Sequence, residues 1–185
     1  MDEVGRGPLA GPVVAAAVVL VPGVAIEGAD DSKQLSAAVR EHLFHDVMRG
    51  AAAVAVGAAS VREIDRINIL EATALAMRRA LARLPHAPDH VVIDGLPVRS
   101  LKREHDAVVG GDALVHSIAC ASIVAKVVRD RLMRRLAARH PGYGWEHNAG
   151  YGTKDHLDGL RALGATAHHR EMLATHQLDL GLLLG

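Results

Sequence analysis

The chain opens with Met1-Asp2-Glu3-Val4-Gly5-Arg6-Gly7-Pro8-Leu9-Ala10-Gly11-Pro12, and an apolar run from Val13 to Val21 follows. The adjacent carboxylates of Asp2 and Glu3 repel each other and raise each other's pKa unless a cation compensates them. Hard divalent cations such as magnesium and manganese prefer oxygen ligands of this kind. The apolar run is rich in valine and indicates a buried strand. The glycine- and proline-rich turn before it predicts a hairpin with the acidic pair.

An arginine between two glycines, Gly5-Arg6-Gly7, comes directly after the acids. Glycine lets the backbone approach a ligand closely, and the planar guanidinium of Arg6 suits phosphate. Carboxylates, a metal and a phosphate-binding turn together indicate phosphoryl-transfer chemistry. A strand end with solvated acids and an ordinary glycine-rich turn explains the same residues equally well, because both patterns are common.

The composition is that of one folded domain. The chain has 185 residues, of which 50% are apolar, so it can bury a substantial core. Its formal net charge is zero, so a polyanion must bind to a local patch. The single cysteine, Cys120, excludes an intramolecular disulfide and a multi-cysteine zinc site, and it fits a reducing, cytoplasmic compartment. The N-terminal apolar run is too short to span a bilayer, so we expect no membrane contact.

Helices and strands alternate after the hairpin. Capping residues and glycine or proline stops predict helices that begin at Ser36, Ser60, Val115 and Thr153, and a short final helix beyond Gly164. Further strands are predicted near residues 51–56, 90–94 and 107–109. This order favours a mixed sheet with helices packed on it. The long second helix is predicted to have one apolar face, formed by Ile64, Ile67, Leu70, Ala74, Met77 and Leu81.

Four acids, Asp2, Glu3, Asp94 and Asp112, each follow an apolar strand or a glycine turn. If strand ends bring them together, they form an oxygen-only cage that suits two-metal catalysis. Asp94 is explained equally well as a turn residue, and Asp112 as a helix N-cap. Adjacent strand residues point to opposite faces, so Asp2 and Glu3 can share a metal only if the chain twists or ends there.

Seven motifs follow one another from Asp2 to about Arg170. They are Asp2-Glu3-Val4-Gly5-Arg6-Gly7-Pro8, Asp31-Ser32-Lys33-Gln34-Leu35, Ile93-Asp94-Gly95, Gly111-Asp112, Ala121-Ser122-Ile123-Val124-Ala125-Lys126-Val127-Val128-Arg129-Asp130, Gly150-Tyr151-Gly152-Thr153 and His168-His169-Arg170. In this order they resemble the ribonuclease HII family. The resemblance implies an α/β, RNase H-like fold, with a mixed five-stranded sheet flanked by helices and a helical C-terminal region. It also implies a catalytic domain over residues 1–140 and a helical substrate-binding extension over residues 141–185.

The resemblance implies a metal-dependent endoribonuclease. Such an enzyme hydrolyses the phosphodiester 5′ to ribonucleotides in RNA/DNA hybrids, and at ribonucleotides embedded in duplex DNA, and leaves 3′-hydroxyl and 5′-phosphate ends. The cofactor would be Mn²⁺ or Mg²⁺, and the catalytic and metal-binding acids would be Asp2, Glu3, Asp94 and Asp112. We expect a monomer whose partner is an RNA/DNA hybrid or ribonucleotide-containing duplex DNA.

The resemblance also implies which residues contact the substrate. Gly5, Arg6 and Gly7 would contact the ribose 2′-hydroxyl and a neighbouring phosphate, and Tyr151 would stack on the sugar at the RNA–DNA junction. Phosphate contacts or site support are expected from Lys33, Ser122, Lys126 and Arg129, with a purely structural role equally open for Ser122. Three further motif residues have simpler explanations: Asp130 as an ion pair on a basic helix, and His168-His169 as surface or helix-cap chemistry.

The sequence departs from the family at its first strand, because only Met1 precedes Asp2. Chain ends fray, so we expect Asp2 to be the least firmly held of the four acids. A shortened strand that cannot hold metal would leave a non-catalytic module that binds hybrid duplexes. A metal-dependent DNA nuclease or integrase-type transferase is a third possibility. The Gly5-Arg6-Gly7 turn and Tyr151 argue against it, because the resemblance implies that they recognise a ribose.

Overall fold

A computed structural model describes residues 1–29 and 35–171 of the chain. Lys33 and the short final helix expected near the C-terminus lie outside these ranges. Within them, none of the helices is both long and apolar enough to cross a bilayer. The described ranges contain, in order, β1 (Asp2–Val4), β2 (Val13–Leu20), α1 (Ala37–Gly50), β3 (Ala51–Ala59), α2 (Val61–Ala82), β4 (Val92–Asp94), a 3₁₀ turn (Arg99–Leu101), β5 (Asp106–Val108), α3 (Gly111–Leu114), α4 (His116–Arg139), α5 (Trp145–Asn148) and α6 (Lys154–Leu163).

The strands confirm the predicted hairpin and the α/β class. β1 pairs antiparallel with β2, which pairs antiparallel with β3, while β4 and β5 form a parallel pair. The two groups meet at Met1. Its main-chain nitrogen donates to the carbonyl of Val92 at 2.7 Å, and its own carbonyl accepts from the nitrogen of Asp94 at 3.1 Å.

The prediction of one five-stranded sheet is therefore matched only in part. The strands form a three-stranded sheet, in the order β1-β2-β3, and a separate two-stranded sheet of β4 and β5. β1 is three residues long, and Met1 alone provides the hydrogen bonds to β4 described above. These bonds are too few for a continuous ladder, but they hold the ends of β1 and β4 side by side.

Capping residues set the starts of three helices as predicted. The hydroxyl of Ser36 accepts from the nitrogen of Val39, and that of Thr153 from the nitrogen of His156. Ser60 and Glu63 form a complete capping box at the start of α2. In each case a side-chain oxygen accepts a hydrogen bond from a main-chain N–H of the first turn, which has no acceptor within the helix.

The single apolar face predicted for α2 is wrong at Leu70, whose side chain is 62% exposed. The helix is interrupted at Asn68, which has non-helical angles (φ 64°, ψ 168°). The side chain of Asn68 accepts from the nitrogens of Leu70 and Glu71 and so starts a new helical segment. The break changes the register, so the 3.6-residue period does not run through it.

Three apolar clusters form the core. Both faces of β2 are buried, one against α2 and the other against α1 and α4, which explains its uninterrupted apolar sequence. The third cluster joins the turn after β1 to α4, α5 and α6 through Leu9, Met133, Trp145 and Leu160. β1 and the turn that follows it are therefore held from several sides.

Candidate active site

Three of the four predicted acids meet at one point. Asp2 lies in β1, Asp94 ends β4, and Asp112 lies in α3, beyond β5. One carboxylate oxygen from each lies within 4.8 Å of those from the other two. Oxygen donors at this spacing suit a hard divalent cation. The hydrogen bonds between Met1 and β4 explain the approach of Asp2 to Asp94.

The glycine pair before Asp112 has a specific structural role. The main-chain nitrogen of Gly111 donates to Oδ1 of Asp94 at 2.7 Å. A Cβ on Gly111 would lie 2.7 Å from Cδ1 of Ile118 and 3.4 Å from Oδ1 of Asp94. Gly111 therefore leaves room for the side chain of Ile118, and its main-chain nitrogen joins α3 to Asp94. Asp112 lies inside the first turn of α3, so the alternative explanation as an N-cap is wrong.

Glu3 lies beside this group and is not part of it. Its Oε1 accepts from Arg6 at 3.2 Å, while its Oε2 is buried without a hydrogen-bond partner. Buried carboxylate oxygens are normally paired, so this oxygen is a candidate ligand for a cation. Glu3 lines two neighbouring cavities of about 350 and 660 Å³, the second of which also reaches Asp94.

Burial shapes the electrostatics of the acids. Burial, and then the charge of Glu3, raise the pKa of Asp2 to about 7, although a hydrogen bond from Ser122 acts in the opposite direction. Burial also raises the pKa of Glu3, against the influence of Arg6. Asp2 is only 5% exposed, so the structure places it in the interior and not at a frayed end. Neighbouring carboxylates with raised pKa values are stabilised when a cation binds.

The smaller cavity brings predicted substrate residues to the acids. Ser122, Lys126 and Tyr151 line it together with Asp2 and Glu3. Lys126 also pairs with Asp130 at 2.9 Å, which confirms the ion pair expected for Asp130. Arg40 lines the same cavity and was missed. It lies one turn after the Ser36 cap, where its sequence context is that of any surface helix position.

The turn of Gly5, Arg6 and Gly7 lies next to Tyr151. A Cβ on Gly7 would lie 3.8 Å from the Tyr151 ring, which is an ordinary contact distance. Gly5 is different, because its φ is 91° and a Cβ would lie 2.2 Å from Nε of Arg129. Position 5 thus requires glycine because Arg129 lies against it. Gly7, in contrast, forms an open surface against Tyr151, which is 43% exposed.

Arg129 cannot contact substrate, because it is fully buried. Of the two roles left open for it, phosphate contact is excluded and site support remains. Arg170 is buried in the same way at 1% exposure. Sequence reasoning gave it no role, because nothing in the neighbouring residues marks a buried arginine.

His169 is also buried, so the expectation of surface or helix-cap chemistry is wrong for this residue. Its Nε2 lies 3.1 Å from Nε2 of His156, which in turn accepts from Nε1 of Trp145 at 3.0 Å. The other ring nitrogen of His156 lies 2.9 Å from the carbonyl of Tyr151. His156 was missed by sequence reasoning, and it supports the segment that carries Tyr151.

Comparison with known proteins identifies the family. The family model described as Ribonuclease HII matches residues 1–177. Ribonuclease HII from Cereibacter sphaeroides is 60% identical over 171 residues, which are 92% of this chain and 80% of that protein. Ribonuclease HII from Ruegeria pomeroyi is 58% identical over 176 residues, covering 95% of this chain and 75% of that protein.

Solved structures agree with this assignment. Ribonuclease H2 from Pyrococcus horikoshii OT3 superimposes with a TM-score of 0.77 at 28% identity, covering 95% of this chain and 93% of the other. Bst-RNase HIII in complex with Mn²⁺ superimposes with a TM-score of 0.76 at 22% identity, covering 98% of this chain and 68% of the other, and shows the shared fold. The chain therefore belongs to the ribonuclease HII family of metal-dependent endoribonucleases.

Proposed function

We propose that this chain hydrolyses the phosphodiester 5′ to a ribonucleotide, both in RNA/DNA hybrids and at single ribonucleotides in duplex DNA. The products are 3′-hydroxyl and 5′-phosphate ends. The convergence of Asp2, Asp94 and Asp112 within 4.8 Å of one another carries this proposal. An open cavity that includes Asp2 and Tyr151 lies beside them, so chemistry and substrate recognition can share one surface.

Asp2, Asp94 and Asp112 would hold Mg²⁺ or Mn²⁺, and Glu3 would provide a further oxygen toward a second ion. A bound divalent ion supplies activation of water and charge stabilisation for a departing oxygen. The donor set fits such an ion, since it contains only carboxylates and includes a buried Oε2 without a partner. Without metal, the raised pKa lets Asp2 keep a proton near neutral pH.

The substrate side of the site would consist of Gly5, Arg6, Gly7 and Tyr151, with Ser122 and Lys126 behind them. The open surface at Gly7 admits a sugar next to the exposed ring of Tyr151. A ribose offers a 2′-hydroxyl at this place and a deoxyribose does not, which is the chemical basis for selecting ribonucleotides. Lys126 lies close enough to the acids to contact a phosphate in the same cavity.

We further propose that the protein acts as a cytoplasmic monomer. Asp2, Asp94 and Asp112 meet within a single copy, so the acid cluster needs no residue from a second one, and the one cysteine is buried and has no possible disulfide partner within the chain. Residues 141–171 pack on α4 through Trp145 and Leu160. This packing joins residues 141–171 to the catalytic domain, and we propose the segment 141–185 as its substrate-binding extension.

The test is cleavage of a DNA duplex that carries one ribonucleotide, with Mn²⁺ and with Mg²⁺, beside an all-DNA duplex. We expect one cut 5′ to the ribonucleotide and none in the all-DNA control. Asp94→Asn should lower the rate by about 100-fold or more, because it removes a charged metal ligand. Cleavage of all-DNA duplex would contradict the selectivity, and binding without any cleavage would favour the non-catalytic module.

A further inference from the structure

Two buried arginines lie beneath the turn formed by residues 5–12. Arg129 comes from α4, and Arg170 lies after α6, near the end of the described ranges. Their exposed fractions are 0% and 1%. In residues 1–29 and 35–171, neither forms a salt bridge, and every hydrogen bond they donate ends on a main-chain carbonyl.

The acceptors of these hydrogen bonds are distributed along most of the turn. Arg129 donates to carbonyls of the turn and of the segment that leads to Tyr151, at 2.9 to 3.0 Å. Arg170 donates to the two ends of the turn at 2.5 to 3.0 Å. The acceptors of Arg129 are Ala10, Pro12 and Ala149, and those of Arg170 are Gly5, Arg6 and Gly11.

Stability alone does not account for this arrangement. Burying a charged group costs free energy, and well-packed apolar side chains often replace buried charges with no loss of stability. The cost is increased here because two like charges are close, and burial together with Arg129 lowers the pKa of Arg170 to about 10. Arg170 nevertheless stays charged near neutral pH, so both guanidiniums donate to the turn.

The hydrogen bonds fix the direction of two peptide units. In a trans peptide the C=O and the following N–H point in opposite directions, and the described residues contain no cis peptide. The carbonyls of Gly5 and Arg6 point inward to Arg170, so the N–H groups of Arg6 and Gly7 point outward. Arg6 and Gly7 are both exposed, which leaves two successive donors on the outer face, next to Tyr151. Successive outward amides of this kind bind anions and oxygen acceptors.

We propose that Arg129 and Arg170 are positioning residues that set the preference for ribonucleotides. They hold the amides of Arg6 and Gly7 outward and, through Ala149, at a fixed distance from Tyr151. Neither arginine touches the substrate. The inference rests on the proposed role of this turn and Tyr151 in recognising the ribose.

The experiment compares Arg170→Met with Arg79→Met as a matched control. Arg79 also donates to a main-chain carbonyl, that of Ala58, but lies on α2 beside Glu63. Duplexes with one ribonucleotide and without any are titrated with the metal-free proteins, and kcat and KM are measured with Mn²⁺. For Arg170→Met we expect about a 10-fold loss of the ribonucleotide preference and a similar rise in KM, as for one lost hydrogen bond of about 1.4 kcal/mol. We expect kcat to change by less than about threefold, because the acids are untouched.

Arg170→Lys and Arg129→Lys keep the charge but lose the planar fork, so they cover the case in which the methionine variant does not fold. We expect an intermediate preference in both, with melting temperatures that show folded protein. Full preference in a folded Arg170 variant, or an equal loss of preference in Arg79→Met, would overturn the proposal. If the unmodified protein shows no ribonucleotide preference, the proposed function fails instead.

Discussion

At the residue scale, neighbouring side chains as well as turn geometry explain the glycines of the site. A Cβ at Gly111 would lie 2.7 Å from Cδ1 of Ile118, and one at Gly5 would lie 2.2 Å from Nε of Arg129. A glycine-rich motif indicates close approach in general. The sequence cannot say which group approaches, because the partner lies far along the chain.

Gly111→Ala tests the role of this close approach in metal binding. The added methyl group would lie 2.7 Å from Cδ1 of Ile118, so Ile118 or α3 must shift beside Asp112, and we expect a smaller rise in melting temperature on adding Mn²⁺. Gly23→Ala is the control, because Gly23 lies outside the acid group and has no neighbouring atom within 4 Å, although its φ of 80° strains an alanine. The control should lose about 1 kcal/mol of stability and keep the full response to Mn²⁺. An unchanged Mn²⁺ response in Gly111→Ala would contradict the argument.

Prediction of the acids shows what residue patterns can and cannot provide. Asp2, Asp94 and Asp112 were found from their positions at the ends of strands and turns, and the structure brings them together. Glu3 was expected in the same group; it lies beside the three acids and lines both neighbouring cavities, one with Asp2 and the other with Asp94. Arg170 and His156 were missed, because burial of a polar side chain depends on tertiary packing that a local pattern does not contain.

At the element scale, the interruption at Asn68 decides which residues of α2 face the core. Leu70 is 62% exposed, whereas Met77 is 1% exposed. An amphipathic period predicts a single straight helix and therefore places both in the core. The start of α2 was predictable from its capping box, but its break was not, since asparagine at this position has no distinctive neighbours.

Leu70→Ala and Met77→Ala form a matched pair that tests this register. We expect Met77→Ala to lower the free energy of unfolding by about 2 to 5 kcal/mol, because it leaves a cavity in the core. Leu70→Ala should change it by less than about 0.5 kcal/mol, as at other surface positions. Urea unfolding measures both, and similar losses in the two variants would contradict the break at Asn68.

The histidines around α6 predict a pH dependence of stability. Burial, and then His156, lower the pKa of His169 to about 4, and burial also lowers that of His156. Unfolded histidine titrates near 6.5, so between these values the unfolded chain binds more protons than the folded one. The stabilising effect is therefore complete above about pH 6.5 and is lost as the pH falls toward 4, by as much as about 3 kcal/mol for His169.

Urea unfolding between pH 8 and pH 4 checks this effect, with His169→Gln as the comparison. The raised pKa of Asp2 acts in the opposite direction, because folded Asp2 holds a proton that the unfolded chain releases. This contribution is common to both proteins and cancels in their difference. We expect the difference in stability between them to shrink as the pH falls. A constant difference would show that His169 does not titrate on unfolding.

At the scale of the whole molecule, the site depends on contacts between two small sheets. The α/β class, the hairpin and most element bounds follow from apolar runs and capping residues. The division into two sheets does not, because it depends on hydrogen bonds of Met1 to β4. A contact that a single residue makes produces no periodic pattern in the sequence, so it cannot be predicted from one.

Metal binding should stabilise the whole fold, because the acids come from three separate elements. At a Mn²⁺ concentration of 100 times the Kd, we expect about 2.7 kcal/mol of added stability. Asp94→Asn should lose most of this gain, whereas Glu146→Gln, at an exposed position of α5, should keep it. Differential scanning calorimetry with and without Mn²⁺ measures both. A full gain in Asp94→Asn would place the metal elsewhere.

Trp145, the only tryptophan of the chain, has its indole N–H on His156, whose other nitrogen lies against the carbonyl of Tyr151. Trp145 is thus an intrinsic fluorophore that two hydrogen bonds connect, through His156, to the segment that would contact the sugar. Its emission can be followed without a label while a duplex is added. Substrate engagement can then be timed separately from the appearance of cut product, in one cuvette and on unmodified protein.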